Sequence, residues 1–107
     1  MTINPNSGAE ISLTEAKSLV NAFRTKFPKE IKASFVGVNN LNLILQQPNC
    51  IGVRIYNGYD AILGRFAQVL VGVDATGKDL TNGVIIDRLD PCPSVCDPIV
   101  HYTIKSE

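Results

Sequence analysis

The chain has no tryptophan, one methionine and one histidine among its 107 residues, and its net charge is zero, ten Lys and Arg against ten Asp and Glu. That balance excludes a strongly basic nucleic-acid binder and a self-repelling acidic tail. Long hydrophobic runs are missing too. The longest, such as residues 69–73, fall far short of the roughly 18 apolar residues a membrane helix requires. Its glycines are scattered, with no Gly-rich run opening a helix and no Lys-Ser or Lys-Thr phosphate cradle, so nucleotide binding is not indicated. Cysteine is scarce and odd in number, Cys50, Cys92 and Cys96, which argues against a complete disulfide framework. The stretch from Met1 to Pro5 lacks the basic and apolar regions of a secretory signal. The expectation is a cytoplasmic protein with reduced thiols, with no membrane and no nucleic acid among its partners.

What is present is a globular composition, 45% hydrophobic, in a length that suits one domain spanning residues 1–107. Residues 1–10 carry little periodicity and read as a mobile arm. Ser12-Leu13-Thr14-Glu15 is a capping box, and Leu13, Ala16, Leu19, Val20, Phe23 and Phe27 follow at helical spacing until Pro28 stops the helix. The segment from Ile31 to Gly37 alternates weakly and reads as a short edge strand. Asn39 or Asn40 is placed to cap a second, two-turn helix carrying Leu41, Ile44 and Leu45, limited by Pro48. From Cys50 the pattern turns to β. Ile51, Val53 and Ile55 alternate with Gly52, Arg54 and Tyr56, Asn57-Gly58 is a turn signal, and the opposite strand is expected from near Ile62. Phe66 to Val73 is apolar on both pleat faces, as a central strand would be. Turns at 74–79 and at Asn82-Gly83, a strand from Val84 to Asp87 and a last strand from Ile99 to Ile104 complete the pattern. The fold class expected is α+β, two N-terminal helices packed on an antiparallel β-meander of three to four strands.

The segment Asp90-Pro91-Cys92-Pro93-Ser94-Val95-Cys96-Asp97-Pro98 is the most distinctive. Cys92 and Cys96 supply two soft ligands four residues apart, and His101 and Cys50 are the residues able to complete a tetrahedral zinc site. The metal set expected is Cys92, Cys96 and His101 with zinc. The same cysteines also read as a small-loop redox disulfide, although their spacing is not that of a thioredoxin centre. The competing reading makes them apolar filling beneath a proline-shaped loop. Cys50 with His101 has the residue types of a nucleophile and its base, without a nucleophile motif around either. Asp74 to Asp79 resembles a calcium loop but has Ala75 and Lys78 where oxygen donors belong, and reads as a hairpin loop. Tyr56, Tyr59, Phe66 and Tyr102, flanked by Arg54 and Arg65, would form an aromatic platform if all faced one side of the sheet. Cross-strand pairing on an ordinary sheet surface or a dimer interface accounts for them better than a ligand platform does.

The segments Ile51-Gly52-Val53-Arg54-Ile55-Tyr56, Leu70-Val71-Gly72-Val73-Asp74, Gly77-Lys78-Asp79-Leu80 and Pro91-Cys92-Pro93-Ser94-Val95-Cys96 resemble a group of small bacterial proteins, chiefly from Bacteroidetes, with no assigned activity. The resemblance implies a bacterial, cytoplasmic protein and carries over no catalytic residue. From the residues themselves the expected function is a non-enzymatic binding or protein-interaction domain, a homodimer or the partner of another protein. A zinc or redox site at the Pro-Cys segment, and a small-molecule enzyme with its pocket between helices and sheet, are the alternatives.

Overall fold

Helix α1, Leu13–Lys26, begins where the capping box puts it. Ser12 Oγ accepts from the Glu15 amide at 3.1 Å, and Glu15 Oε1 accepts from the Ser12 amide at 3.2 Å, so two amides that the helix cannot pair internally are satisfied reciprocally. The last turn carries Arg24 and Lys26 at the negative end of the helix dipole, and the helix ends at Phe27, one residue before Pro28. Its apolar stripe forms as expected, with Phe23 and Phe27 ring centroids 5.1 Å apart, yet no residue of α1 is buried.

The computed structural model describes residues 2–92. The last expected strand, from Ile99 to Ile104, lies outside the described residues. The described chain divides into two compact units, one holding Val36–Leu89 with the arm up to Gly8, the other Ala9–Phe35 with Asp90–Cys92. In the second unit, β1 (Ala33–Phe35) is the short strand expected near residue 31, and it pairs antiparallel with β5 (Asp90–Cys92). The Pro-Cys segment therefore starts as a strand rather than as a loop. Pro91 is tolerated there because the Cys92 carbonyl accepts from Lys32 N–H at 2.8 Å. Cys92 thus turns its backbone toward β1, and Pro91, one residue away, turns its missing donor to the outer edge.

In the first unit, α2 (Val38–Leu45) is capped by Gly37 rather than by Asn39 or Asn40. No side chain bonds to the cap, and the asparagines fall inside the first turn. Beyond α2 the chain forms an antiparallel meander of β2 (Gly52–Asp60), β3 (Arg65–Val73) and β4 (Ile85–Ile86), in the order β2-β3-β4. The class is the expected α+β, with two helices and an antiparallel meander. β3 is central, and Leu70, Val71 and Val73 are buried on its two faces, with Ile44 of α2 fully buried. α2 lies against β2 and β3.

The β2–β3 turn is not at Asn57-Gly58. Asn57 pairs with Gln68 and Gly58 with Ala67 inside the ladder, and residues 61–64 make the connection. Asp60 Oδ1 accepts the amides of Ile62 and Leu63, each at 3.0 Å, and Gly64 adopts φ +66. A side-chain cap and a left-handed glycine close this longer hairpin.

Candidate functional site

The ladder assigns each side chain of the hairpin to a face. Val53 stands opposite Gly72, Ile55 opposite Leu70, Asn57 opposite Gln68 and Tyr59 opposite Phe66, so these eight share one face. Gln68 Nε2 donates to Asn57 Oδ1 at 3.3 Å, and the Tyr59 and Phe66 rings meet edge-on at 6.2 Å. Arg54 and Tyr56 occupy the other face with Val71 and Val69. The aromatic platform is therefore split: Tyr56 lies on one side of the sheet, Tyr59 and Phe66 on the other, and Tyr102 lies outside the described residues.

On the Tyr56 face, Asp79 joins the two β2 side chains. Its Oδ1 lies 2.5 Å from Arg54 Nη1, and its Oδ2 accepts from the Tyr56 hydroxyl. Arg54 also donates to the Gly77 carbonyl at 3.2 Å. Sequence reading had Arg54 and Tyr56 on one face but missed Asp79. Its place there follows from the tight 74–79 turn, in which Val73 bridges to Asp79. That turn is a hairpin loop, as expected: Asp74 Oδ1 accepts from the amides of Thr76 and Lys78 and from the Thr76 hydroxyl at 2.6–3.1 Å, and Gly77 has φ +87.

The hydrogen bond from Tyr56, then the Arg54 guanidinium, hold the Asp79 carboxyl below its ordinary value of 3.8. Its bond to Asp79 raises the Tyr56 phenol above 10.0. Because the Asp79 value is lowered on folding, its contribution is present above 3.8 and is lost as pH falls through the folded value. The Tyr56 value is raised, so its contribution is present below 10.0 and is lost as pH rises through the folded value. Asp79→Asn is accordingly expected to melt below the wild type at pH 7, with the two converging once pH is well under 3.8. Melting curves over a pH series check this, and a constant gap down to the acid limit contradicts it.

A cavity of about 320 Å³ lies beside this cluster, lined by Ile3, Asn4 and Ser7 of the arm and by residues 51–55 and Val73. The arm is turned there, with the Asn4 carbonyl accepting from the Ser7 amide at 3.0 Å. No helix residue lines this cavity, whereas the expected pocket was between helices and sheet.

Of the expected metal set, Cys92 is buried at the end of β5 and is disulfide-bonded; Cys96 and His101 lie outside the described residues. Reduced thiols were expected throughout, and this holds for Cys50 alone among the described cysteines. Cys50 Sγ donates to the Gly52 carbonyl at 3.2 Å. Among the described residues no group of three or more His, Cys, Asp or Glu is placed to hold a metal ion, and no helix is long and apolar enough to cross a membrane. No protein family, no curated protein and no solved structure matches this chain.

Proposed function

We propose that the chain is a small non-enzymatic binding domain that works by protein association, with a second copy of itself as the partner. The observation that carries this reading is the apolar character of the exposed half of the β2–β3 hairpin. Ile55, Tyr59 and Phe66 on one face, Tyr56 on the other, and Ile62 and Leu63 at the tip are all exposed, Ile62 to 95%. Exposed large apolar side chains gathered on one hairpin mark an association surface.

A second reading, a small-molecule site, is favoured by the cavity beside the arm, whose volume of about 320 Å³ falls in the range of ligand pockets. The cytoplasm is the proposed compartment. The free Cys50 suits it, while the Cys92 disulfide speaks for an oxidising one. Native mass spectrometry on protein purified without chelator tests these readings together. The expected spectrum is that of a dimer without added mass. A monomer at every concentration overturns self-association. A zinc-sized increment in reduced protein instead moves the site to Cys92, Cys96 and His101, because Cys92 ligates a metal only once its disulfide is opened, and an organic increment moves it to the cavity.

A further inference from the structure

β2 is an edge, and the side of it that is open can be read from the hydrogen bonds. The Val73 carbonyl accepts from Ile51 N–H at 2.9 Å, whereas the Gly72 carbonyl accepts from Leu80 N–H at 2.8 Å on the opposite side. Odd-numbered residues of β3 therefore turn their backbone toward β2. Their partners in the ladder are Gly52, Arg54, Tyr56, Gly58 and Asp60. It follows that Val53, Ile55, Asn57 and Tyr59 direct their N–H and C=O groups away from β3. Among the described residues β2 pairs with β3 alone.

Edge strands are usually kept from pairing by shortness, proline, lysine or a bulge. β2 runs nine residues with neither proline nor lysine, and its register with β3 is unbroken. Resting on the self-association proposed above, we infer that β2 pairs antiparallel with β2 of a second copy, centred on Asn57, to give one continuous six-stranded sheet.

Charge and shape choose this register. With Asn57 facing Asn57 of the partner subunit, Arg54 stands opposite the partner's Asp60 and Tyr56 covers the partner's Gly58. Ile55 packs on the partner's Tyr59. Opposite charges and an aromatic with a β-branched residue are the stabilising cross-strand pairs. Arg54 reaches Asp79 and Gly77 through Nη1, and Asp60 caps its turn through Oδ1, so each has a further polar atom to offer. Centring on Tyr56 instead sets Arg54 against the partner's Gly58 and Asn57 against the partner's Ile55. That register also draws in Gly52 and Val53, which line the arm cavity together with Arg54 and Ile55. The pairs 55 with 59, 57 with 57 and 59 with 55 exchange about six N–H···O bonds.

Only in this register does position 57 face itself, and that supplies the test. Asn57→Asp and Asn57→Lys each set like charges face to face, so each is expected to weaken self-association on the order of tenfold or more. Mixing the two restores a dimer that contains one of each. Sedimentation velocity reads the assembly, and circular dichroism confirms the fold of each variant. A second measurement needs no variant: in the wild-type protein the amides of Ile55, Asn57 and Tyr59 exchange slowly at high concentration and faster on dilution. If the wild type is a dimer but both variants remain dimers, or those three amides exchange fast at every concentration, edge pairing in this register is wrong while association through another surface stands. A wild type that is monomeric throughout overturns both.

Discussion

Ile44→Ala is expected to lower stability by about 2–5 kcal/mol, the largest effect of any single truncation in the first unit. Ile44 is fully buried, the only described side chain of that standing, and it lies on the helix that rests on β2 and β3. Deleting three carbons there removes their transfer free energy and leaves a cavity that a short helix, tied to the sheet at its C-terminal end, relaxes into only partly. Ile44→Val, one methylene smaller, is expected to cost about 0.5–1.5 kcal/mol. Urea unfolding with an unchanged slope checks that the loss is one of stability and not of compactness. Leu43→Ala is the control. Leu43 is exposed on the same helix, and it should move the midpoint far less. Equal losses at 43 and 44 would mean that α2 does not pack as the structure has it.

Local chemistry was legible where it was self-contained. The capping box of Ser12 and Glu15 and the stop before Pro28 depend on residues within one turn of each other, and both appear where the sequence put them. The apolar run from Phe66 to Val73 announced a central strand because only a strand covered on both faces hides side chains of both parities. The hairpin turn was misplaced because it depends on distant residues. Asn57-Gly58 has strong turn propensity, but the register that sets Ile55 against Leu70 and Tyr59 against Phe66 gains more from cross-strand packing than a tight turn returns. Asp60 then finds a second use as the cap of a longer loop.

The strand within the Pro-Cys segment was hidden for the same reason, since β5 exists through β1, more than fifty residues earlier in the chain. Asp79 was invisible as a partner of Arg54 and Tyr56 until the 74–79 turn brought it back along β3. The paired faces of β2 were readable from alternation alone, but which edge of β2 stays open is a property of strand order, and no local pattern encodes that order.

One side chain braces that strand order, and removing it is the second large effect. Gln47, just past α2, donates through Nε2 to the Ile44 carbonyl at 3.0 Å and accepts through Oε1 from Val84 N–H at 2.8 Å. It thereby ties the helix end to the entrance of β4. Two glycines make room for it: a Cβ on Gly72 would come within 2.9 Å of Nε2, and one on Gly83 within 2.0 Å of Oε1. Gln47→Ala leaves the Val84 amide without its side-chain acceptor in a half-buried place and is expected to cost about 1–3 kcal/mol. Gly83→Ala is expected to cost a similar amount, about 1–3 kcal/mol, by expelling the same side chain. The two losses should not add. Once Gln47 is truncated, the nearest remaining atom to a Cβ at position 83 is the Leu80 carbonyl at 3.4 Å, an ordinary contact, so the double variant should be scarcely less stable than Gln47→Ala. A coupling of about 1 kcal/mol or more in the double-mutant cycle is the expected result, and strict additivity would place the cost of Gly83→Ala somewhere other than Gln47. The consequence reaches the interaction surface. While Gln47 holds the entrance of β4, the far side of β3 is occupied, and β2 is left as the long open edge of the sheet.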